Sequence, residues 1–506
     1  MDAPVVIAGA GPNGLMLAAE LAAHGVTPVV IEKLTATSRE PRANGMVGQV
    51  VRVMDQRGLY ERCTGQSAPP RPQPRFFFGA MPLDQSGVDQ NSLYTMGAPQ
   101  YKMETELQGW ARERGVEVRR GHRMTGQTDD GEGVTVEVTG PDGAYSLRAD
   151  YLVAADGGSS PTRKALGIEF PGATAPLLSR VANVRIPREW IGPDASLRVP
   201  GRPVVPHGWN RTDNGLFVFG LTNPEAPVVG TNEWVEDPSD LDTPLSLEEL
   251  SDSAERVLGY PIPLQWPDGD GPYLRRKNFG VNTRLADRYR VGRIFLVGDA
   301  AHVHGAAGGP GLNLGIQDAV NLGWKLAAVL TGRADAALLD TYETERRPVA
   351  ERVMTQTLAQ QALSAPGPRV TALRKVFGEL LERPDNAQFV GDLMSAADTR
   401  YDMGGADHPL VGGFVPAFTL DDGRGVDRLL PAGRAVLLCL NGCDLELPVW
   451  KDTVEVVRAE VSDAPAAALL IRPDGFVAWA GDDNDDTGLT EALNTWFGAP
   501  TLEEQL

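Results

Sequence analysis

Short apolar runs that end at a glycine or an acidic residue recur along the chain. The first run, Val5–Ile7, is continuously apolar, which is typical of a parallel strand buried on both faces. A helical stripe of apolar residues follows it, and Gly25 stands where a helix commonly ends. Residues Thr27–Ile31 form a second apolar run that leads into Glu32. This order of strand, helix and strand predicts an α/β fold.

Two later apolar runs end in the same manner. The run Tyr151–Asp156 leads into a polar turn, and Arg163 follows closely enough to tie that turn down. The run within Arg293–Val297 leads into Asp299, and residues 312–330 then carry apolar side chains at helical spacing. Taken alone, each of these strand ends is also compatible with a polar turn that binds nothing.

Composition and charge exclude several classes of protein. The chain has 506 residues, which indicates two or three domains, and its formal net charge of −20 disfavours nucleic acid and anionic membranes as partners. It contains no run of about 18 apolar residues and no signal peptide, so no membrane span is predicted. Its three cysteines, Cys63, Cys439 and Cys443, form no C-x-x-C pair, which favours a reduced cytoplasmic protein without disulfides.

The turn after the first strand carries three spaced glycines, Gly9-x-Gly11-x-x-Gly14. The first permits a tight turn, the second lets backbone approach a pyrophosphate, and the third lets the helix pack on the strand. The amides of the helix N-terminus then face the phosphates, and Glu32 can accept hydrogen bonds from a ribose. The combination predicts a dinucleotide site without separating NAD from FAD. The alternative is a tight turn that binds no ligand.

The segment GDAAHVHGAAGGPGLN, residues 298–313, has the composition of a second ligand-binding loop. Asp299 can accept a hydrogen bond from a ribityl hydroxyl group. Gly308, Gly309 and Gly311 let the backbone N–H groups of residues 311–313 face an electron-rich ring edge. An isoalloxazine has such an edge, so this segment favours a flavin over a nicotinamide.

Several clusters have the residue types of metal or redox sites but not their spacing. His302 and His304 lack a third ligand, so a structural or loop-positioning role is expected for both. Cys439-x-x-x-Cys443 is too widely spaced for a dithiol pair, and the acidic run at 482–486 is interpreted as a solvated loop rather than a calcium site. No metal site is predicted.

Three motifs together resemble those of the class A FAD-dependent aromatic hydroxylases, which share the para-hydroxybenzoate hydroxylase fold. The motifs are GAGPNG, ADGGSSPTR and VGDAAH. Four further stretches are similar in character to the aromatic-polyketide hydroxylases of antibiotic biosynthesis, including the angucycline hydroxylases: DDGEGVTVEVTGPDG, YDMGGADHPLVGG, LLIRPDGFVAWAG and the WFGAP ending. The resemblance extends over nearly the whole chain.

The resemblance implies a fold and a division into domains. A Rossmann-like FAD-binding domain is interleaved with a β-sheet substrate domain, and a thioredoxin-like domain follows at the C-terminus. The expected FAD-binding segments are residues 1–70, 99–171 and 276–365. The substrate domain is expected at 71–98 and 172–275, the connecting helices at 366–404 and the thioredoxin-like domain at 405–506. A homodimer is one expected assembly.

The resemblance also implies a reaction. NAD(P)H reduces FAD, the reduced flavin takes up O2, and the resulting flavin C4a-hydroperoxide hydroxylates a polycyclic aromatic, polyketide-type substrate. Baeyer–Villiger oxygenation and oxidative inactivation of an aromatic antibiotic use the same chemistry and stay open as alternatives. A flavoprotein that binds a reactive intermediate without oxygenating it, and an NAD-linked dehydrogenase, are rivals from other classes.

Carried over by position, the resemblance assigns residues to the cofactor and the substrate. Arg42 is expected beside the flavin, where it is also the candidate catalytic residue as a hydroperoxide stabiliser. The cofactor-binding residues implied are Gly9, Gly11, Pro12, Asn13, Gly14, Glu32, Lys33, Arg42, Gln100, Met124, Asp156, Asp299, Pro310, Gly311, Leu312 and Asn313. The candidate substrate contacts, on strands predicted to roof the site, are Phe78, His207, Trp209, Asn210, Arg211 and Phe219.

The chain departs from the family pattern at positions expected beside the ring. Gly305-Ala306 stand in place of two prolines, Pro310 in place of a glutamine, and Gln49-Val50 in place of an Arg-Thr pair. FAD binding is expected despite these changes, whereas the ring contacts of the family are not transferred in detail.

Overall fold

The computed structural model describes residues 1–40, 42–221, 223–236, 238, 241–269, 271, 273–305, 309–405, 408–430, 433–482 and 486–498. Ala306 and Gly308 of the glycine-rich loop, residues 483–485 of the acidic run and residues 499–500 of WFGAP lie outside these ranges. The helices are α1 (Pro12–Ala23), α2 (Gln49–Gln56), α3 (Leu59–Thr64), α4 (Gln100–Arg112), α5 (Pro161–Ala165), α6 (Leu247–Leu258), α7 (Pro310–Leu330), α8 (Asp340–Ser364), α9 (Pro368–Leu381), α10 (Pro384–Ser395) and α11 (Leu489–Phe497).

The strands are β1 (Ala3–Ala8), β2 (Val29–Glu32), β3 (Gly45–Val47), β4 (Arg75–Phe78), β5 (Met81–Asp84), β6 (Thr95–Gly97), β7 (Glu117–Arg120), β8 (Arg123–Asp129), β9 (Val134–Gly140), β10 (Gly143–Ala154), β11 (Gly172–Asn183), β12 (Gly208–Arg211), β13 (Leu216–Gly220), β14 (Val228–Trp234), β15 (Arg275–Leu285), β16 (Arg290–Val291), β17 (Ile294–Leu296), β18 (His302–Val303), β19 (Ala435–Leu440), β20 (Val454–Ala459), β21 (Ala468–Ile471) and β22 (Val477–Gly481).

The first sheet confirms the predicted α/β architecture. Its strand order is β16-β17-β10-β1-β2-β7, with the β8–β9 hairpin attached to β10. Strands β17, β10, β1, β2 and β7 run parallel, so the ends of the three apolar runs meet at one edge of the sheet. The runs are apolar throughout because both faces of the sheet are covered, one by helices and the other by the β8–β9 hairpin and the first half of β10. The three motifs of the sequence are thereby brought together.

Helices α1 and α7 approach each other closely beside this sheet. A Cβ atom at Gly315 would lie 2.3 Å from the Asn13 side-chain nitrogen, and one at Gly323 would lie 2.7 Å from Cβ of Glu20. A Cβ atom at Gly298 would lie 2.0 Å from the same Asn13 nitrogen. The Asn13 side chain is therefore packed between Gly298 and Gly315, and this contact fixes the N-terminus of α1 against the start of α7.

The second sheet is antiparallel and has the order β12-β13-β14-β11-β15-β18. Strand β15 pairs with β11 along most of its length, so the domain boundary expected at residue 276 falls inside a strand of this sheet. Phe78, which is expected on a strand that roofs the site, does not belong to this sheet. It lies in a separate β4–β5 hairpin, whose turn at Gly79 and Ala80 has positive φ at both residues.

The C-terminal unit is built on a third sheet with the order β20-β19-β21-β22. Strand β19 is parallel to β20 and antiparallel to β21, and β21 is antiparallel to β22. Strand β19 is buried along its entire length, since apolar clusters pack on both faces of the sheet. A turn at residues 472–475 joins β21 to β22, and α11 follows. None of the described helices combines the length and hydropathy that a bilayer-crossing segment needs.

Candidate active site

A cavity of about 1450 Å³ extends from the edge of the first sheet to the inner face of the second. Its wall includes Gly9 and Glu32 at one end, Asp156 and Asp299 in the middle, and Trp209 at the other end. The three sequence motifs and the antiparallel sheet therefore face one continuous space. A cavity of this size has room for a dinucleotide and a further ligand.

The glycine turn after β1 has the geometry that the sequence predicts. Gly9 has a φ of +115°, and a Cβ atom there would lie 2.3 Å from the Ala155 carbonyl oxygen. A Cβ atom at Gly14 would lie 2.0 Å from the Gly9 carbonyl oxygen, so this glycine packs the helix on the turn and is not part of the cavity wall. Gly11 lines the cavity and has no protein atom near its missing Cβ, which leaves space for a phosphate.

The carboxylate of Glu32 closes the adjoining end of the cavity. It accepts hydrogen bonds from the backbone N–H groups of Ala10 and Leu34, each at 2.8 Å. These bonds fix the orientation of the carboxylate and leave further lone pairs to accept from a ribose. Lys33 and Met124 line the same end, as do Pro12 and Asn13 at the start of α1.

The middle of the cavity is formed where β10 ends. One oxygen of Asp156 accepts hydrogen bonds from the backbone N–H and side-chain hydroxyl of Thr162, at 3.1 and 2.7 Å. Its other oxygen is buried and has no partner among the described residues. Arg163 donates to the carbonyl oxygens of Ala300 and Gly158, at 2.8 and 3.0 Å, and so ties the second motif to the third.

Asp299 lies in the tight turn after β17, and its side chain is open to the cavity. Desolvation raises the pKa of this carboxyl above its ordinary value, although His302 and Arg42 oppose the rise. A carboxylate on this wall can accept a hydrogen bond from a hydroxyl donor, which is what a ribityl chain offers.

The start of α7 forms the next part of the wall. Gly309 caps the helix with a φ of +70°, and Pro310 occupies the first helical position without lining the cavity. Gly311 and Leu312 line it, and their N–H groups belong to the first turn, which has no intrahelical acceptor. Asn313 faces away and accepts a hydrogen bond from the Val47 backbone N–H at 3.2 Å.

The two histidines have different surroundings. His302 is buried, and its Nε2 contacts Asp318 at 2.6 Å, while Arg346 donates to the other oxygen of Asp318 at 2.8 Å. His304 lines the cavity next to Gly311, and its Nε2 has no partner among the described residues. Burial lowers the pKa of His304 to about 4, so the ring is neutral near pH 7. The described residues contain no cluster suited to a metal ion.

Arg42 and Gln100 are both part of the cavity wall. Arg42 is half exposed and pairs with Glu40 at 3.3 Å, and Glu40 also contacts Arg276 of β15 at 3.2 Å. Gln100 begins α4 and accepts a hydrogen bond from the Ala43 backbone N–H at 3.4 Å. Glu40 thus joins the two domains at the edge of the cavity, close to the candidate catalytic arginine.

The far end of the cavity is an apolar chamber. Its wall combines aromatic and aliphatic side chains from the hairpin and the second sheet with a few amides and hydroxyls. The apolar residues are Phe76, Phe77, Leu177, Trp209, Leu216, Trp234 and Val281, and the polar residues are Ser179, Asn232, Asn278, Gln360, Gln361 and Ser364. An apolar wall with scattered polar groups is typical of a site for a ring system that carries oxygen substituents.

Of the six candidate substrate contacts, the structure places Trp209 on the chamber wall. Phe78 and Phe219 lie on the opposite faces of their strands, because successive side chains alternate. Phe78 packs against Phe377 with 5.9 Å between ring centroids, and Phe219 is fully buried under α6. Phe77, which precedes Phe78, and Leu216, which is on the same strand as Phe219, face the chamber instead.

The remaining three candidates are not part of the chamber wall. His207 is exposed, and Asn210 donates to the carbonyl oxygens of Pro206 and Gly208 within its own turn. Arg211 donates to the Ala365 carbonyl oxygen at 2.8 Å and so joins the second sheet to the end of α8. These contacts occupy the polar groups that would otherwise have bound a ligand.

Acid is expected to loosen the packing of α7 on α8. Burial alone would raise the pKa values of Asp318 and Glu345, but neighbouring cations hold both below their ordinary values of 3.8 and 4.5. Because these pKa values are lower in the folded than in the unfolded state, the carboxylates stabilise the fold fully above about pH 4.5, and this stabilisation is lost as the pH falls. Each unit of pKa difference between the two states corresponds to about 1.4 kcal/mol.

Thermal unfolding between pH 7 and pH 3 tests this expectation. The melting temperature should fall steeply below about pH 4.5, and Glu345→Gln, which cannot titrate, should show a shallower fall from a lower starting value. Parallel curves for the two proteins would contradict the assignment of this dependence to Glu345.

The residues present fit a flavin dinucleotide. Gly11 leaves a space that a Cβ atom would occupy, Asp156 offers an unpartnered buried oxygen, and the first turn of α7 offers free N–H groups. These features follow one another along the cavity in the order phosphate, ribityl chain and ring. Together they match the successive polar groups of FAD.

Comparison with known proteins places this geometry in context. Residues 2–357 match the family described as FAD binding domain, and residues 408–500 match aromatic-ring hydroxylase, C-terminal. A 12-dehydrotetracycline 5-monooxygenase/anhydrotetracycline 6-monooxygenase from Streptomyces rimosus subsp. rimosus is 42% identical, covering 98% of this chain and 99% of that protein.

Two solved structures are similar over the full chain. OxyS anhydrotetracycline hydroxylase from Streptomyces rimosus has a TM-score of 0.85 and 39% identity, covering 99% of this chain and 100% of that one. CabE, an aromatic hydroxylase from angucycline biosynthesis, has a TM-score of 0.83 and 35% identity, covering 99% and 100%.

Proposed function

Since the chain belongs to the FAD-dependent aromatic-ring hydroxylases, we propose that it hydroxylates a polycyclic aromatic polyketide. It is a flavin-dependent monooxygenase, with FAD as its cofactor and NAD(P)H and O2 as co-substrates. The observation that carries the proposal is the continuous cavity, which joins the phosphate-binding turn at Gly11 to the aromatic chamber around Trp209 and Trp234. Such a chamber suits a flat, fused ring system.

The proposal assigns the residues along the cavity to parts of FAD. Glu32 accepts from the adenosine ribose, and the amides after Gly11 bind the pyrophosphate. Asp299 accepts from the ribityl chain, and the N–H groups of Gly311 and Leu312 face the ring. When bound, FAD supplies the redox chemistry, by which electrons from NAD(P)H activate dioxygen for transfer of one oxygen atom.

The side chains of the chamber orient the substrate and exclude water. Trp209, Trp234 and Phe77 provide flat apolar surface that displaces water from the reacting end. A phenolic substrate activates its own ring, so the chamber does not need a strong base. Arg42 is the cation that we propose to act beside the ring. It already lines the cavity, and its side chain can turn from Glu40 towards the ring, because both side chains are half exposed.

Turnover under isotopically labelled dioxygen tests the proposed reaction. The holoenzyme is given NADPH or NADH with anhydrotetracycline and a set of hydroxyanthraquinones, and products are analysed by mass spectrometry. We expect one labelled oxygen atom on an aromatic or enolic carbon, with NAD(P)H consumption dependent on substrate. A ring-expanded lactone would identify Baeyer–Villiger chemistry, and absence of substrate-dependent NAD(P)H consumption would identify a protein that binds without oxygenating.

Trp209→Ala is expected to raise the KM for a polycyclic substrate about tenfold, because it removes a large aromatic contact from the chamber wall. The FAD content should stay at the wild-type level, since Trp209 lies at the opposite end from the phosphate-binding turn. His207→Ala is the matched control, as His207 is on the same segment but exposed. Equal KM changes in the two variants would contradict the placement of Trp209.

The finer division of the chain is also proposed. The order and directions of β20-β19-β21-β22, followed by α11, support a thioredoxin-like C-terminal unit, although the described residues between β19 and β20 form turns rather than a helix. We propose that the substrate domain extends to Leu285, because β15 belongs to its sheet. A cytoplasmic location, supported by three unbridged buried cysteines, and a homodimer are the remaining proposals.

A further inference from the structure

Two neighbouring glutamines near the end of α8 line the chamber with side-chain nitrogens that have no partner. They are Gln360 and Gln361, and both Nε2 atoms are buried without a hydrogen-bond acceptor among the described residues. Gln360 is only 2% exposed. A buried N–H group without an acceptor is destabilising and uncommon in folded proteins, so two adjacent ones on a cavity wall indicate a ligand.

The orientation of the Gln360 amide is fixed by its oxygen. The Gly79 backbone N–H donates to Oε1 at 3.2 Å, so the nitrogen occupies the other side of the amide plane. The turn that supplies this donor is itself held, because Arg374 donates to the carbonyl oxygens of Gly79 and Ala80 at 2.6 and 2.8 Å. Reversing the amide would break this contact without giving the nitrogen a partner.

The Gln361 amide lies where three parts of the site meet. A Cβ atom at Gly305 would lie 2.7 Å from its Nε2, 3.0 Å from Val281 of the second sheet and 3.5 Å from Thr357 of α8. Gly305 immediately follows His304, which borders the first turn of α7. Gln361 therefore lies at the end of the chamber that is nearest the proposed ring position.

We propose that Gln360 and Gln361 form an oxygen-binding subsite, whose amide N–H groups donate to a ring carbonyl or phenolate oxygen of the polycyclic substrate. The inference rests on the proposed function and adds the feature by which the substrate is recognised. Neutral donors in an apolar wall suit a neutral carbonyl or a delocalised phenolate. The surrounding aromatic residues bind any flat ring system, whereas these amides distinguish rings by their oxygen substituents.

The position of the subsite has a consequence for the reaction. An oxygen atom held by Gln361 fixes the rotation of a flat substrate within the chamber. The bound oxygen therefore decides which carbon of the substrate ring lies next to the start of α7. Gln361 is therefore a specificity-determining residue, and it acts by positioning the substrate rather than by transferring a proton.

The test compares two ligands and two variants in the holoenzyme. The ligands are 1-hydroxyanthraquinone and anthracene, which share three fused rings and differ in their oxygen substituents, and Kd is measured from the change in flavin absorbance. Gln361→Met keeps the length of the side chain but removes the donors. Leu358→Met is the matched control on the same helix, because Leu358 is exposed.

We expect Gln361→Met to weaken the binding of the quinone about tenfold, the effect of losing one buried hydrogen bond, and that of the anthracene less than twofold. Leu358→Met should change neither. Turnover by Gln361→Met should give a broader distribution of hydroxylated positions, which a general loss of stability would not produce.

Equal weakening for the two ligands would overturn the subsite, and so would a wild-type protein that does not bind the quinone. Failure of the proposed function is seen separately, as the absence of labelled product from the wild-type chain. The subsite alone is rejected if the wild-type protein hydroxylates polycyclic substrates and Gln361→Met leaves the hydroxylated positions and the relative ligand affinities unchanged.

Discussion

Gly14→Ala is expected to prevent both FAD binding and stable folding of the first sheet, whereas Gly11→Ala is expected to prevent FAD binding alone. A methyl group at residue 14 would lie 2.0 Å from the Gly9 carbonyl oxygen, which is backbone and cannot rotate away. Overpacking of this kind costs about 3 kcal/mol or more. A methyl group at residue 11 meets no protein atom within 4 Å, but it occupies the space proposed for the pyrophosphate.

The ratio of flavin absorbance to protein absorbance, together with thermal unfolding of the apoprotein, separates these outcomes. Gly11→Ala should lose flavin at an unchanged apoprotein melting temperature, and Gly14→Ala should lose both. Gly87→Ala is the control, because Gly87 has no neighbour within 4 Å of its missing Cβ. A Gly11→Ala variant with full flavin content would contradict the assigned position of the pyrophosphate.

Arg472→Met is expected to lower the free energy of unfolding by about 3–5 kcal/mol, because it removes a buried cation that two buried carboxylates share: Glu345 keeps Lys325, whereas Asp474 keeps no other ion pair among the described residues. Arg472 has no side-chain exposure, and it donates to the two oxygens of Glu345 at 2.7 and 2.8 Å. It also bonds Asp474 and stacks over Trp496, 4.4 Å from the ring centroid. These contacts hold the C-terminal sheet against α8, so their loss should separate the two units at lower denaturant concentration.

Urea unfolding followed by tryptophan fluorescence and by flavin release tests this result. Arg458→Met is the matched control, because Arg458 pairs with Glu446 on the surface, where an ion pair contributes about 1 kcal/mol or less. If the two variants unfold at the same urea concentration, the buried cluster does not join the C-terminal unit to the rest of the protein.

The sequence predicted the strand-ending motifs well because their information is local. The apolar run Val5–Ile7, the glycines after it and the acid at Glu32 determine a turn and its ligand within a few dozen residues. The same holds for Asp156 and Asp299. Asp156 directly follows the apolar run 151–155, and Asp299 is separated by one glycine from the run that ends at Val297. Parallel pairing then brings these residues together without further information from the sequence.

Features that depend on distant partners could not be predicted in this way. Arg472 and Asp474 stand in a turn between two strands, a place that favours exposed polar residues, yet both are buried against Glu345 and Lys325 of other helices. Phe77 and Phe78 have the same side chain, so composition cannot decide which of them faces the chamber. That choice depends on the helices packed behind the hairpin.

The chamber amides illustrate the same limit. Gln360 and Gln361 follow one another in a helix with many polar residues, and their spacing contains no motif. The burial of Gln360 and of the Gln361 amide nitrogen is known only from the fold. The unpartnered nitrogens become visible once the hairpin turn at Gly79 and the loop at Gly305 are in place.

The interleaved order of the first sheet determines when this protein can fold during translation. Strand β10 pairs with β1 and β9, but its last residues, 152–154, also pair with β17, which is synthesised more than a hundred residues later. Until then the nascent chain carries an unpaired, apolar strand edge, the kind of surface that promotes aggregation. Helix α7 emerges later still, so the cofactor cannot be enclosed before well over half of the polypeptide has left the ribosome.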